Sequence, residues 1–186
     1  MFRLKLVPAL VALGVAIGSV AAPTAIAAPA QAVRTIYYDS SRAAELAPQV
    51  DQAAQIWNNG VTSVRLVKGS GGVTVTTAQN GSAPGTASCV GCTRGQIYFY
   101  RNQITQSGAG TLRVIVHEFG HILSLNHPSD IGNCDKVMAG GRCDNPNPNA
   151  AERAAVQRFW SSPARTGTTN GPDERGVHEA PAKAAV

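Results

Sequence analysis

Residues 116–127 read VHEFGHILSLNH, and this stretch is the most informative part of the chain. His117 and His121 are four positions apart, so on a helix both imidazoles project from one face. Glu118 follows the first histidine and lies beside that face. The side chains around the motif are apolar, namely Val114, Ile115, Ile122 and Leu125. Such surroundings favour a helix inserted into a core over one with surface histidines, and they predict a helix over residues 111–124 that carries an HExxH metal motif.

A third metal ligand is predicted ten residues after the first. Catalytic zinc takes three protein ligands and keeps one position for water, and neutral imidazoles suit zinc. His127 is too far along the chain to share the helix face, so the chain must turn sharply after Leu123 or Ser124. A positive φ at Ser124 would cost roughly 1 kcal/mol, because serine has a Cβ. The sequence therefore predicts one Zn²⁺ bound by His117, His121 and His127.

Composition and charge exclude several classes of function. The 186 residues are 44% hydrophobic and 15% charged, which suits one domain with a buried core. The formal charge is +5, from 16 basic and 11 acidic residues, and no two basic residues are adjacent. Because the positive charge is not clustered, no nucleic-acid partner is expected.

Residues 1–32 are predicted to be a secretory signal peptide. Arg3 and Lys5 precede an apolar stretch at residues 6–20, and small-residue cleavage sites end at Ala27 and Ala32. The stretch is short for a membrane span and is punctuated by Pro8, Pro23 and Pro29, so a retained anchor is the disfavoured alternative. We expect a secreted, extracellular protein that does not associate with a membrane after signal cleavage.

Periodicity along the rest of the chain predicts an α+β domain over residues 33–161. Alternating and β-branched runs predict strands at residues 33–39, 63–67, 73–77 and 96–100. Helical spacing predicts further helices at residues 47–59 and 150–160. Residues 80–95 are rich in Gly, Ser, Thr and Pro and are interpreted as a loop or irregular edge. Residues 162–186 lack aromatic side chains, so a disordered tail is expected.

Four cysteines in an exported chain indicate disulfides, and their spacing alone leaves three pairings open. Cys134 and Cys143 would close a short loop, and Cys89 with Cys92 a shorter one. A structural zinc site on all four is disfavoured, because the second pair is too widely spaced for a zinc knuckle. A redox role for the first pair is also disfavoured, because it does not follow a strand and begin a helix.

Segments outside the zinc motif add a resemblance to a known family. They are residues 54–58 (AQIWN), 64–66 (VRL), 137–141 (VMAGG) and 148–153 (PNAAER). The zinc motif resembles that of the metzincin clan of zinc endopeptidases, and residues 36–160 resemble the snapalysin family of small secreted bacterial metalloproteases. The resemblance implies a zincin-like α+β fold, in which a small twisted mixed β-sheet packs on helices and the active-site helix is followed by a Met-turn.

The resemblance also implies roles for residues outside the zinc motif. Met138 would lie in the Met-turn, a tight turn that forms an apolar base beneath the metal. The alternative is an ordinary buried methionine that fills a gap in the core. By the same resemblance, Cys134 pairs with Cys143 around that turn, which leaves Cys89 to pair with Cys92.

The chain departs from the snapalysin pattern at several positions. That family typically has Asp as the third zinc ligand where this chain has His127, and Asp130 is the nearest acidic alternative. The family's turn glycine is Ser124 here. No tyrosine follows the third ligand or the Met-turn to stabilise the transition state. Gly110 and Leu112 replace the oxygen-bearing residues that would support calcium, so calcium is not expected.

The sequence therefore predicts a monomeric zinc endopeptidase that acts on proteins or peptides. Glu118 is expected to be the general base toward a zinc-activated water and then to protonate the leaving amine. An extended substrate would pair with an edge strand within residues 78–95. The alternative is a secreted zinc- or peptide-binding protein with a degenerate protease fold, which Ser124 and the missing tyrosine motivate. His178 is expected to be idle in the tail, without a role in latency.

Overall fold

The computed structural model describes residues 32–162, 170–174 and 177–178. The predicted signal peptide therefore lies outside the described residues, except for Ala32. Most of the segment predicted to be a disordered tail lies outside them as well. Among the residues described, no helix is long and apolar enough to cross a membrane.

The described domain alternates strands and helices along the chain. The strands are β1 (Arg34–Arg42), β2 (Val64–Lys68), β3 (Val73–Ala78), β4 (Gly85–Ala87) and β5 (Gly95–Tyr100). The α-helices are α1 (Ala47–Gly60), α2 (Arg101–Ser107), α3 (Thr111–Ile122) and α4 (Ala150–Ser161). Single 3₁₀ turns occupy Ala44–Leu46 and Val137–Ala139. These elements confirm the predicted α+β class, and each predicted strand and helix is present near its expected position.

The strands form one mixed sheet in the order β2-β1-β3-β5-β4. The first four strands in this order are mutually parallel, whereas β4 pairs with β5 in the antiparallel direction. β4 therefore lies at one edge of the sheet. This edge falls within residues 78–95, where the sequence analysis expects a substrate to pair.

Periodicity along the chain did not locate β4 or predict α2. β4 has three residues, and its register is set by pairing with β5, since Gly85 lies opposite Phe99 and Ala87 opposite Ile97. α2 has seven mostly polar residues and is followed by Gly108, which has a φ of 68°. Neither element is long enough to show a periodicity, so each depends on contacts distant in the sequence.

The core lies where α1 and α3 pack against each other and against the sheet. Trp57 on α1 is fully buried, and its indole Nε1 donates a hydrogen bond of 2.9 Å to the carbonyl of Val116 on α3. On the sheet side, the ring of Phe119 meets Tyr38 of β1 edge to face, with centroids 5.6 Å apart. These contacts place α3 in the core, as its apolar flanks predict, and they position the histidine motif.

Candidate metal centre

The three histidines predicted as metal ligands converge on one point. The Nε2 atom of His117 lies 3.1 Å from that of His121 and 3.0 Å from that of His127. The Nε2 atoms of His121 and His127 are 3.1 Å apart. His117 and His121 are fully buried, whereas the side chain of His127 is 15% exposed. One face of the group therefore opens toward the surface.

Hydrogen bonds on the far side of two rings show that this group fits a metal ion. Nδ1 of His117 lies 2.9 Å from the carbonyl oxygen of Val137, and Nδ1 of His121 lies 2.7 Å from that of Leu125. Because a carbonyl can only accept, each neutral ring has its proton on Nδ1 and turns the lone pair of Nε2 toward the other ring. Two lone pairs about 3 Å apart repel unless a cation lies between them.

Burial keeps the imidazole of His121 in the form that binds metals. Burial, with a smaller contribution from the neighbouring histidines, lowers the pKa of His121 to about 4 against the opposing effect of Glu174. Near neutral pH His121 is therefore uncharged, as a metal ligand must be. Neutral imidazole is a preferred ligand of zinc, so the donor set fits that ion.

A turn at Ser124 brings the third histidine to the other two. Ser124 has a φ of 100°, the positive value that the sequence analysis considered there. Its amide donates to the carbonyl of His121 at 2.9 Å, and the amide of Leu125 donates to the carbonyl of Gly120 at 2.9 Å. The chain thus reverses within two residues of the end of α3 and directs His127 back toward the helix.

Neighbouring segments bind the carbonyl end of α3. The carbonyl oxygens of residues 121 and 122 accept from the amides of Gly91 at 2.9 Å and Cys92 at 3.1 Å. The next carbonyl, at residue 123, accepts from the indole of Trp160 on α4 at 3.0 Å. Cys92 forms a disulfide with Cys89, which closes this loop. The backbone groups that a helix end leaves unpaired are therefore satisfied, and the position of His121 is defined.

Glu118 lies beside the histidines without joining their cluster. It is fully buried, and neither of its carboxylate oxygens has a hydrogen-bond partner among the described residues. Burial raises the pKa of Glu118 well above its usual value, and the charge of Glu174 raises it further. A Cβ at Gly85 of β4 would come within 2.5 Å of Oε1 of Glu118, so the glycine allows this close approach. The carboxyl group is thus placed against the edge strand.

Met138 lies in a 3₁₀ turn that packs directly on α3. A Cβ at Gly120 would overlap the sulfur of Met138, so this glycine allows the close approach. The amide of Met138 donates to Oε1 of Glu152 at 2.8 Å. Oε2 of Glu152 accepts from the amide of Asn149, whose side chain in turn caps α4. Glu152 was not predicted as a site residue, but the Asn-x-x-Glu capping box before an apolar helix is a signal that points to it.

A buried arginine and a disulfide order the loop around Met138. Arg113 on α3 is fully buried and donates to the carbonyls of Lys136 at 2.6 Å, Gly140 at 2.9 Å and Asn145 at 2.8 Å. The structure contains a disulfide between residues 134 and 143, which closes the same loop.

Asp130, the acidic alternative to the third histidine, instead binds Lys136 at 2.9 Å. It contributes no atom to the histidine cluster.

Two residues of the segment predicted to be a disordered tail lie at the centre. Oxygens of Glu174 lie 2.8 Å from Nε2 of His121, 3.1 Å from that of His127 and 3.3 Å from that of His117. His178 is fully buried, with Nε2 3.9 Å from an oxygen of Glu118. The expectation of an idle His178 in a disordered segment differs from this arrangement. The segment has few apolar side chains to bury, and it contacts the domain mainly through a carboxylate, an imidazole and backbone groups.

Comparison with known proteins identifies relatives of this chain. Residues 32–163 match the model of the Streptomyces extracellular neutral proteinase (M7) family. The extracellular small neutral protease of Streptomyces sp. (strain C5) is 38% identical to this chain over 151 residues. The protein of the same name from Streptomyces lividans is 36% identical over 149 residues. Each match covers 77% of this chain. The chain spans 64% of the length of both relatives.

Another relative is shorter. The extracellular small neutral protease of Streptomyces caespitosus is 36% identical over 132 residues, which cover 69% of this chain and 98% of that protein. Among solved structures, archaemetzincin from Methanopyrus kandleri aligns with a TM-score of 0.47 and 14% identity, over 74% of this chain and 100% of that one.

Proposed function

The chain belongs to the Streptomyces extracellular neutral proteinase (M7) family, and from that membership we propose that it is a secreted zinc endopeptidase. Its relatives are named extracellular small neutral proteases, which supports both an extracellular location and protein substrates. The observation that carries the proposal is the set of three imidazole nitrogens within 3.1 Å of one another, two of them with their protons on the opposite ring nitrogen.

His117, His121 and His127 are proposed to bind one Zn²⁺. The carbonyls of Val137 and Leu125 orient two of these rings, and such partners strengthen imidazole ligands. Zinc supplies a Lewis acid that lowers the pKa of a water and polarises the scissile carbonyl. The protein supplies the ligands and a buried environment in which charge is poorly screened.

Glu118 is proposed to move the proton during hydrolysis. Its carboxylate oxygens accept no hydrogen bond from the described residues, so they could accept a proton from the attacking water. In the next step it would protonate the nitrogen of the leaving amine. Both proton transfers require the carboxylate of Glu118 to keep the same position, and its packing against Gly85 would hold it there.

β4 is proposed to bind the substrate main chain. It lies at the edge of the sheet, and the carboxyl group of Glu118 packs against its first residue, Gly85. An extended peptide added to this edge would form main-chain hydrogen bonds with the strand and pass beside Glu118. Recognition through the main chain fits an enzyme that acts on many protein sequences.

The test is the substitution Glu118→Ala in the full chain. We expect it to lower casein cleavage at least ~100-fold, because the general base is lost, and to leave zinc bound, because Glu118 is not a ligand. Glu45→Ala is a matched control, since Glu45 is an exposed carboxylate that pairs with Arg101 away from the site. Zinc content is measured by atomic absorption and cleavage by release of soluble peptides.

Two results would count against the proposal. Casein cleavage that persists in Glu118→Ala would show that another group moves the proton. A chain that binds zinc at the three histidines but cleaves no protein in any form would instead support the alternative, a secreted zinc- or peptide-binding protein with a degenerate protease fold.

A further inference from the structure

The C-terminal part of the described chain lies across the candidate metal centre. We name residues 170–174 and 177–178 the C-terminal strap. The strap contacts three places in turn, which are the edge strand β4, the histidine cluster, and the glycines that follow Met138. These are the features along which an extended substrate would lie if β4 binds its main chain.

The first contact is with the edge strand. The backbone of Gly171 approaches the carbonyl of Ala87, the last residue of β4, so closely that a Cβ at Gly171 would overlap the carbonyl oxygen. A substrate strand that paired with β4 would have to approach the same carbonyl. The strap and a substrate therefore compete for this edge.

The second contact is with the three histidines. Glu174 has a side chain that is 1% exposed, and its oxygens lie between 2.8 and 3.3 Å from the three Nε2 atoms. Its Oε1 atom has no hydrogen bond within the described part of the chain, although it is 2.8 Å from Nε2 of His121. Since His121 and His117 have their protons on Nδ1, their Nε2 atoms and the carboxylate are all acceptors. A cation bound among these acceptors would remove their mutual repulsion.

The coordination chemistry of zinc explains what a fourth acceptor does. A catalytic zinc ion has three protein ligands and keeps one coordination position for water. A zinc ion with four protein ligands has no position left for water. Carboxylate oxygen is an ordinary zinc ligand. The four residues His117, His121, His127 and Glu174 have ligand atoms within 4.8 Å of one another.

The third contact is with the loop that follows Met138. The amide of Gly141 donates a hydrogen bond of 2.7 Å to the carbonyl of Val177. A Cβ at Gly140 would overlap Val177, and both glycines have positive φ, 62° and 76°. The loop thus receives the strap through main-chain contacts, while His178 is buried beside Glu118.

From these contacts we infer that the C-terminal strap is an intramolecular inhibitor, in which Glu174 is a fourth metal ligand at the position that water needs. This inference rests on the proposed function, since it takes the histidines to bind zinc. The chain with the strap in place cleaves slowly, and its activity rises when the strap leaves β4 and the histidines.

The substitution Glu174→Gln in the full chain tests the inference. Loss of a charged ligand is expected to raise the zinc dissociation constant at least ~10-fold, measured by competition with a chelator. The visible spectrum of the Co²⁺-substituted protein is expected to change, because it reports the ligand set. Peptide cleavage at saturating zinc is expected to rise at least ~10-fold. Glu45→Gln makes the same chemical change at an exposed carboxylate and should leave all three measurements as in the wild type.

A second variant moves the strap without altering a ligand. Gly171→Val places a side chain against the carbonyl of Ala87 and should raise cleavage in the same way as Glu174→Gln. If both variants keep wild-type zinc affinity, Co²⁺ spectrum and cleavage while the wild type binds zinc, the strap is not an inhibitor and the proposed function still stands. If neither the wild type nor the variants bind zinc, the proposed function fails and this inference fails with it.

Discussion

Ser124 is the residue on which the third ligand depends. It has a φ of 100°, a conformation in which its Cβ is crowded, and the turn it forms is what returns His127 to the helix. The resemblance to snapalysins places a glycine at this position, which would adopt the turn without strain. The chain thus retains a strained residue at the point where the geometry of the site is decided, and the surrounding hydrogen bonds maintain it.

Replacement of this serine by glycine is expected to stabilise the protein. Ser124→Gly should raise the free energy of unfolding by ~0.5–1 kcal/mol, because the relief of strain exceeds the added entropy of the unfolded chain. Urea denaturation of the metal-free protein measures the change. Ser124→Ala is the control, since alanine keeps the Cβ and should give no gain. A glycine variant no more stable than the alanine variant would contradict the account of strain.

α3 and the turn at Met138 form the central contact between elements. Gly120 lies one residue before His121, and a Cβ there would overlap the sulfur of Met138 and come within 3.3 Å of Trp57. The helix, the turn and α1 therefore meet at a single glycine. Because the turn is also bound by Glu152 of α4, a shift at this point would be passed to several elements.

Gly120→Ala is expected to disturb this contact although alanine favours helices. Overpacking should lower the free energy of unfolding by ~1–3 kcal/mol and weaken zinc binding, because α3 and the turn must separate. Gly69→Ala is a matched control, since its Cβ would meet only the side chain of Tyr37, which is 47% exposed and can move. Denaturation and chelator competition measure both effects. Equal stability of the two variants would show that the contact can relax freely.

The elements differ in how far local sequence specifies them. The helix at α3 and the strands β1, β2, β3 and β5 could be predicted, because each is long enough to show its own periodicity. The histidine motif could be predicted as well, because its spacing follows helix geometry. β4 could not, since three residues have no periodicity, and neither could the position of Glu174, which depends on contacts more than forty residues away along the chain.

At the scale of the whole molecule, the metal centre is the point where separate parts of the fold meet. α1 reaches α3 through Trp57, the loop at Cys89–Cys92 binds the end of α3, and α4 reaches it through Trp160. Metal binding to the folded chain alone would therefore stabilise the whole domain. The strap connects the edge of the sheet to the metal centre as well, because its contacts extend from β4 to the loop after Met138.

The most direct test of the account is an anomalous difference map measured from crystals of the full chain at the zinc absorption edge. The account predicts one peak about 2.0–2.1 Å from the Nε2 atoms of His117, His121 and His127. A peak at Asp130 instead of His127, or no peak near the three histidines in zinc-containing protein, would contradict it.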